Sequence, residues 1–346
     1  MKRQLLFLAF LLTQWTHAQD STRVLFIGNS ITYFNDMPQT FKNIANSLGD
    51  ETSVTMYAPG GTGFVNHVAD PAVYNLFRQG NWDYIVLQPG SNESPGYSAP
   101  INETLERART LIDSIYTYNP CADVLFYEIS YGVWGNTPNN LATYNNTMSL
   151  IKDNLEILAD STKSFFAPVG EGFRTKWNKN QTEMLWNSNG DIHPNAKGSY
   201  IAACMFYSTI FQKPSHGSPV ISTLSAQNAD SIQLLCDSIV LNHLPLWRIN
   251  LFEQTTDFSY AVTGGTADFM DLSTNVDSVY WDFGDGSFSY EKDPSHNYSE
   301  TGAFSVVLTT YKHGCEQQGG GKGGGGGDSH RYYVMKFRPI EGAVVV

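Results

Sequence analysis

The stretch Arg23-Val-Leu-Phe-Ile-Gly-Asn-Ser-Ile-Thr32 decides how the rest of the chain is interpreted. Its residues 24–28 form a short apolar run ending in glycine, which is typical of a strand buried on both faces of a sheet. Asn29 and Ser30 follow this run directly, and a helical pattern begins near Met37. Because open α/β sheets bind ligands at the carboxyl ends of their strands, Ser30 is a candidate functional residue. The alternative is an ordinary strand-to-helix turn.

Strand and helix patterns alternate as far as about residue 245. The strand-like runs are 24–28, 53–58, 84–87, 124–129 and 165–169. The helical patterns lie around residues 37–48, 64–79, 100–117, 140–159, 196–211 and 226–242. This alternation predicts βαβ units and a parallel sheet with helices on both faces. The expected fold is a three-layer α/β/α sandwich of the flavodoxin-like type, with a five-stranded parallel sheet.

The first eighteen residues have the features of a secretory signal peptide. Lys2 and Arg3 give a basic start, residues 5–12 are apolar, and the small residue Ala18 precedes the expected cleavage point. No other run approaches the roughly eighteen apolar residues that a membrane-spanning helix needs. We therefore expect export of the protein to the periplasm, the cell surface or the medium.

Charge and composition limit the classes of partner. A net charge of −12 makes nucleic acid and anionic membrane surfaces unfavourable partners. The many Tyr, Trp and Asn residues suit neutral polar ligands such as sugars. The four cysteines are widely spaced, so they indicate neither a disulfide scaffold nor a metal site. Cys204 and Cys236 are expected to be buried thiols, one disulfide remains open, and no metal or cofactor is expected.

Four polar or glycine-rich stretches follow predicted strands or precede a predicted helix. They are Gly28-Asn29-Ser30, Pro59-Gly60-Gly61-Thr62-Gly63, Gln88-Pro89-Gly90-Ser91-Asn92-Glu93 and Asn189-Gly190-Asp191-Ile192-His193-Pro194-Asn195. Each taken alone could be an ordinary turn. In a parallel sheet of the predicted order, however, all four could converge on one edge.

Together these stretches resemble, in order and spacing, the four sequence blocks of the SGNH (GDSL-like) hydrolases over about residues 23–212. The resemblance implies that Ser30 is a nucleophile and that His193 is its general base, since a serine hydroxyl reacts poorly until an imidazole takes its proton. It also implies an oxyanion hole, which supplies fixed hydrogen-bond donors to a tetrahedral intermediate. The implied donors are the backbone N–H groups of Ser30 and of Gly60 or Gly61, and the side chain of Asn92.

The sequence departs from this family at the acid. The usual acid lies three residues before the histidine, where this chain has Gly190, and Asp191 lies two residues before it. We expect Asp191 to orient His193, with a backbone carbonyl as the alternative acceptor. Asn29 and Glu93 stand where many relatives carry Asp. We expect no catalytic role for Asn29 and a structural role for Glu93. Aromatic residues near the same loops are candidate substrate-binding residues, namely Tyr33, Tyr97 and Trp134.

From about residue 247 the helical periodicity gives way to short strand-like runs separated by Asp-Gly, Pro and Gly turn signals. This pattern predicts a small antiparallel β-sandwich. The stretch Tyr280-Trp-Asp-Phe-Gly-Asp-Gly286, with 294–298 and 302–306, resembles a PKD domain. The resemblance implies a spacer, or a module that contacts glycans or proteins. Residues 319–327 are glycine-rich and could be a linker or the result of a frame error, and 332–337 could supply a missing strand.

The expected organisation is a signal peptide (1–18), an SGNH hydrolase domain (20–246), a PKD-like domain (247–316) and a Gly-rich linker with an irregular tail (317–346). The expected function is that of an exported serine ester hydrolase that acts on carboxylic esters through an acyl-Ser30 intermediate. Acetyl or other short acyl groups on carbohydrates are the expected substrates. The alternative is a catalytically inactive SGNH-fold protein that binds glycans or serves in adhesion, which the glycine at position 190 favours.

Overall fold

The computed structural model describes residues 21–135, 139–316 and 330–336. The predicted signal peptide and the Gly-rich stretch 317–329 lie outside these residues.

A parallel sheet forms the centre of the larger part of the chain. Its five strands run in the order β2-β1-β3-β4-β5, and every neighbouring pair is parallel. The strands are β1 (Thr22–Ile27), β2 (Thr52–Tyr57), β3 (Tyr84–Leu87), β4 (Asp123–Tyr127) and β5 (Phe165–Ala167). This is the flavodoxin-like order, so the predicted fold is confirmed. Residues 24–27 are buried, as an apolar strand covered by helices on both faces should be.

Helices connect the strands and cover the sheet. They are α1 (Ser30–Tyr33), α2 (Met37–Ser47), α3 (Phe64–His67), α4 (Pro71–Arg78), α5 (Ile101–Tyr118), α6 (Asn139–Thr162), α7 (Val169–Lys179), α8 (Ala196–Phe211) and α9 (Ala226–Leu241). Helices α2, α8 and α9 pack together in one group, and α4, α5 and α6 pack together in another. Every residue of α8 from Gly198 onward is buried, as expected of a helix that is apolar all round.

Two helical features differ from the sequence-based expectation. The pattern at 64–79 is divided into α3 and α4, because the Asp70 side chain accepts the N–H of Ala72 and Pro71 begins a new helix. Helix α7 was not predicted. It contains Gly170 and Gly172, which are poor helix formers, so tertiary packing stabilises a helix that local propensity disfavours.

The C-terminal part forms two antiparallel sheets. One has the order β10-β7-β6, and the other has the order β12-β11-β8-β9 with β13 also paired to β11. The strands are β6 (Phe258–Thr263), β7 (Thr266–Asp271), β8 (Ser278–Asp282), β9 (Phe288–Ser289), β10 (Ser295–Asn297), β11 (Ala303–Lys312), β12 (Cys315–Glu316) and β13 (His330–Lys336). A separate apolar core that includes Phe258, Phe269 and Trp281 lies within this part. Residues 332–336, whose role the sequence left open, belong to β13.

A disulfide joins the two parts of the molecule. Cys121, just before β4, is bonded to Cys315 of β12, with 5.0 Å between their Cα atoms. Beside it the rings of Tyr116 and His313 stack with centroids 3.8 Å apart. These contacts lie at the amino end of β4, whereas three of the loops that resemble the hydrolase blocks follow the carboxyl ends of strands and the fourth precedes α8. The other two cysteines, Cys204 and Cys236, are free and buried, as predicted.

Within the described ranges, no helix is both long enough and apolar enough to cross a membrane.

Candidate active site

Ser30 lies at the carboxyl end of β1, as the first residue of α1. The Asn29 side chain accepts the N–H of Ile31 at 2.9 Å and thereby caps this helix. Ser30 is buried, with 9% of the residue exposed. A short strand-to-helix turn thus holds the side chain at the edge of the sheet.

His193 lies within hydrogen-bond distance of Ser30. Its Nε2 is 2.9 Å from the Ser30 Oγ. The imidazole stacks on the ring of Phe34, with centroids 4.3 Å apart. Asn35, in a left-handed backbone conformation, donates its side-chain amide to the Pro194 carbonyl at 2.8 Å. The segment after α1 therefore holds both the ring and the backbone of the histidine loop in place.

Asp191 is the acceptor on the other side of the imidazole. Its Oδ1 is 2.6 Å from His193 Nδ1 and also accepts the backbone N–H of His193 at 3.0 Å. Asn187 donates to the second carboxylate oxygen at 3.3 Å. Burial raises the pKa of Asp191, but the hydrogen bonds from His193 and Asn187 outweigh this effect, so the pKa lies below its ordinary value. An ionised carboxylate at Nδ1 fixes the tautomer in which Nε2 can accept a proton.

Gly190 precedes Asp191 in a backbone conformation that favours glycine. Its φ of +86° lies in the left-handed region. Its N–H donates to the Val133 carbonyl at 2.7 Å, and the Trp134 side chain lies beside it. The loop after β4 thus holds the histidine loop in a conformation that directs Asp191 toward His193.

The glycine loop after β2 is joined to the Ser30 turn. Asn29 Nδ2 donates to the Thr62 carbonyl at 2.8 Å, and the Thr62 hydroxyl lies 3.1 Å from the Gly28 carbonyl oxygen and 2.7 Å from that of Pro59. Gly60 and Gly61 belong to this loop. Asn29, for which no catalytic role is expected, thus makes a positioning contact that requires an amide, since a carboxylate has no N–H to donate.

Glu93 joins the loops after β2 and β3. Its buried carboxylate accepts the backbone N–H groups of Phe64 at 2.7 Å, Gly90 at 2.8 Å and Val65 at 3.0 Å. Arg107 donates to the same carboxylate at 3.0 Å. This agrees with the structural role expected for Glu93 and gives it a specific task, which is to hold the glycine loop against the loop that carries Asn92.

Asn92 is exposed, and both its backbone and its side chain are held by hydrogen bonds. Its carbonyl accepts the N–H groups of Tyr97 at 2.9 Å and Ser98 at 3.0 Å. The hydroxyl of Tyr131 donates to its Oδ1 at 2.9 Å. The Tyr131 ring lies between two other aromatic rings, with centroid distances of 5.9 Å to Tyr97 and 5.0 Å to Trp134.

The three candidate substrate-binding residues are exposed and lie beside the candidate catalytic groups. Tyr97 is 55% and Trp134 46% exposed, and both contact Tyr131 next to Asn92. Tyr33 is 39% exposed and stacks on Phe34, which itself stacks on His193. Exposed aromatic faces with polar atoms close by can contact a sugar ring or an acyl group.

Several contacts at the site were not found from the sequence. They include the stacking of Phe34 on His193, the Asn187 hydrogen bond to Asp191 and the Tyr131 hydrogen bond to Asn92. The partners are 159 residues apart in the first pair, 4 in the second and 39 in the third, and no periodic pattern reveals such pairs. In the described part of the chain, no cluster of three or more His, Cys, Asp or Glu residues could hold a metal ion.

Comparison with known proteins supports the two-part architecture. Residues 255–319 match the family model described as "PKD domain". No curated protein matches the chain.

Solved structures match the larger part of the chain. A DUF4886 family protein from Bacteroides uniformis is 16% identical, with a TM-score of 0.51, over 64% of this chain and 95% of that one. This similarity shows a shared fold. A protein provisionally described as an SGNH hydrolase, from Slackia heliotrinireducens, is 21% identical over 55% of this chain and all of that one, with a TM-score of 0.45. The acetylxylan esterase Axe2 from Geobacillus stearothermophilus is 16% identical over 54% of this chain and 92% of that one, with a TM-score of 0.41.

Proposed function

We propose that this chain is an exported serine ester hydrolase that removes acetyl or other short acyl groups from carbohydrates. One observation carries the proposal, namely the continuous series of contacts from Ser30 Oγ to His193 Nε2 at 2.9 Å and from His193 Nδ1 to Asp191 at 2.6 Å. A nucleophile, a base and a group that orients the base are the requirements for acyl transfer through a covalent intermediate.

The proposed reaction has two halves. His193 takes the Ser30 proton as the hydroxyl oxygen attacks the ester carbonyl. The oxyanion is then stabilised by the backbone N–H of Ser30, an N–H of Gly60 or Gly61, and the side-chain amide of Asn92. When the tetrahedral intermediate collapses, the C–O bond to the alcohol breaks and His193 returns the proton to the departing alcohol.

In the second half, His193 takes a proton from a water molecule, which attacks the acyl-Ser30 carbonyl. Collapse of this second intermediate releases the carboxylic acid and restores the Ser30 hydroxyl. Asp191 remains ionised throughout, because its low pKa keeps it an acceptor for the His193 Nδ1–H.

Three features support a carbohydrate ester with a short acyl group. Exposed rings lie near Asn92 (Tyr97 and Trp134) and near His193 (Tyr33), where they could stack on a sugar. The small exposed fraction of Ser30 suits a small acyl group. The net charge of −12 suits a neutral ligand rather than an anionic polymer.

Export is proposed from the signal-peptide pattern of residues 1–18 and from the Cys121–Cys315 disulfide, since disulfides are typical of oxidising compartments. The PKD domain is joined near the amino end of β4 and is proposed to act as a spacer or as a contact module for glycan or protein.

The first test is hydrolysis of p-nitrophenyl acetate by the mature protein and by its Ser30→Ala variant. We expect the variant to lose at least about a thousandfold in rate. p-Nitrophenyl octanoate and acetylated xylan then test acyl length and carbohydrate substrates. A folded wild-type protein that hydrolyses none of these substrates faster than Ser30→Ala would contradict the proposal and favour the non-catalytic glycan-binding alternative.

The second test concerns the acid. Asp191→Asn removes the charge that fixes the tautomer of His193, and we expect kcat to fall about a hundred- to ten-thousandfold. Asp230→Asn is a matched control. Asp230 Oδ1 lies 2.9 Å from Nε2 of His216, a surface histidine outside the candidate site. Equal kcat values for Asp191→Asn and Asp230→Asn would show that another group orients His193.

A further inference from the structure

We infer that Tyr131 is a positioning residue that orients the Asn92 amide so that its N–H, rather than its oxygen, faces the developing oxyanion. This inference rests on the proposed esterase function. The observation behind it is the hydrogen bond of 2.9 Å from the Tyr131 hydroxyl to Asn92 Oδ1.

An asparagine amide needs such an anchor when it serves as an oxyanion donor. Its oxygen and nitrogen are similar in size, so half a turn about the last side-chain bond exchanges a donor for an acceptor at little steric cost. With Oδ1 toward the oxyanion, Asn92 would repel the charge it is proposed to stabilise. Within the described residues, no second hydrogen bond holds this side chain. In the structure the tyrosine hydroxyl donates to Oδ1, so the amide is held with Nδ2 directed elsewhere.

The Tyr131 hydroxyl is itself held in place. Its ring packs against Tyr97 and Trp134, and its backbone N–H points to the Met148 sulfur at 3.3 Å. The ring is half-buried, so its packing limits the positions that the hydroxyl can take.

The same loop also contacts the acid side of the site. Gly132 lies against the backbone oxygen of Asp191, and the Val133 carbonyl accepts the N–H of Gly190. Consecutive residues of one loop therefore contact both the proposed oxyanion donor and the histidine loop. Tyr131 thereby fixes Asn92 relative to the rest of the site.

The test compares kcat and KM for p-nitrophenyl acetate in Tyr131→Phe, Asn92→Ala and the double variant. Tyr131→Phe keeps the ring and its packing but removes the donor. We expect kcat to fall about five- to fiftyfold, less than the about hundred- to thousandfold expected for Asn92→Ala, with KM nearly unchanged because the oxyanion forms only in the transition state. In the Asn92→Ala background, Tyr131→Phe should have no further effect.

Tyr144→Phe is the matched control. Its hydroxyl contacts the Ser130 hydroxyl at 3.0 Å, one residue before Tyr131, and does not contact Asn92. We expect this control to keep the wild-type kcat. Thermal unfolding of every variant checks that it is folded.

Three results would overturn the inference. They are a wild-type kcat for Tyr131→Phe, a full effect of Tyr131→Phe in the absence of Asn92, and an equal loss of kcat in Tyr144→Phe. These three results are informative only if the wild-type protein has esterase activity and the Ser30→Ala substitution abolishes it. A wild-type protein without Ser30-dependent activity would instead remove the proposed function on which the inference depends.

Discussion

Glu128 is a buried carboxyl group at the carboxyl end of β4, and none of the proposed catalytic steps uses it. One of its oxygens accepts the N–H of Glu171 at 3.0 Å, in the first turn of α7. Burial and the neighbouring charge of Glu171 nevertheless raise the pKa of Glu128 to about 8, against the opposing effects of that hydrogen bond and of Arg174 and Lys152. The folded protein therefore keeps a proton at neutral pH that the unfolded chain releases.

This protonation predicts a pH dependence of stability. The folded pKa lies above the unfolded value of 4.5, so stability is fully present below about pH 4.5 and is lost as pH rises toward 8. The loss approaches about 1.4 kcal/mol per pH unit within that window. We expect Glu128→Gln, which needs no proton, to gain unfolding free energy relative to wild type as pH rises from 5 to 8.

Urea unfolding at several pH values measures this difference. Glu106→Gln is the control, because Glu106 is 72% exposed and its ion pair with Arg109 lies on the surface. If the difference between Glu128→Gln and wild type were the same at pH 5 and pH 8, Glu128 would be ionised in the folded protein and the prediction would be wrong.

At the scale of elements, the candidate site is made of loops that hold one another. Asn29 joins the Ser30 turn to the glycine loop, Glu93 joins the glycine loop to the Asn92 loop, and Val133 joins the loop after β4 to the histidine loop. The parallel sheet brings these loops to one edge, and hydrogen bonds between them then fix their relative positions.

Glu93→Gln tests this arrangement. In Gln, an NH2 group takes the place of the carboxylate oxygen that accepts the backbone N–H groups of Phe64 and Gly90. An NH2 group cannot accept these hydrogen bonds. We expect a loss of about 1–3 kcal/mol for each buried donor left without a partner, together with a lower kcat as the two loops separate. Urea unfolding and p-nitrophenyl acetate hydrolysis measure both effects.

Glu103→Gln is the matched control for this variant. Glu103 contacts the same arginine, Arg107, at 3.0 Å, but it is 54% exposed and contacts no loop of the site. We expect it to cost less than about 1 kcal/mol and to leave kcat unchanged. A Glu93→Gln variant as stable and as active as Glu103→Gln would show that the loops hold their positions without this carboxylate.

At the scale of the whole molecule, the PKD domain is attached far from the candidate site. The Cys121–Cys315 disulfide and the Tyr116–His313 stack lie near the amino end of β4, and the strand separates them from the loop that follows it at the candidate site by roughly 16 Å, at a rise of about 3.3 Å per residue. The two parts are thus joined both along the chain and by a disulfide between cysteines that are 194 residues apart in sequence.

Replacing both Cys121 and Cys315 with Ser tests this separation. We expect unfolding to become easier by about 2–4 kcal/mol, because a closed loop restricts the unfolded chain, while kcat and KM stay at their wild-type values. Thermal unfolding and ester hydrolysis are the measurements. A reductant should bring the wild type to the stability of the variant and leave the variant unchanged, since the remaining cysteines are already free. A large loss of kcat in the variant would contradict the separation of the two parts.

The alternation of short apolar runs with amphipathic segments predicted the parallel sheet and its flavodoxin-like order, and the 280–306 stretch predicted the second domain that the PKD model matches. Both depend on local pattern. Helix α7 was missed for the same reason, because its two glycines weaken the local signal while its neighbours in space stabilise it. Residues Ser30, Asp191 and His193 were identified from short motifs, and their separation of only a few ångströms became apparent in the folded chain.

The sequence by itself determined which residues are candidates for the chemistry, because the four short motifs that resemble the SGNH hydrolase blocks, and their order, are written along the chain. Only the tertiary structure decided which acid reaches His193, which hydroxyl orients Asn92 and which two cysteines pair. Asp191 was favoured over a backbone carbonyl by sequence, but its approach depends on the left-handed backbone of Gly190 and on the loop after β4. Tyr131 and Asn92, like Cys121 and Cys315, are distant in sequence and meet through packing. Contacts of this kind have no period along the chain, so they are fixed only when the sheet and its loops assemble.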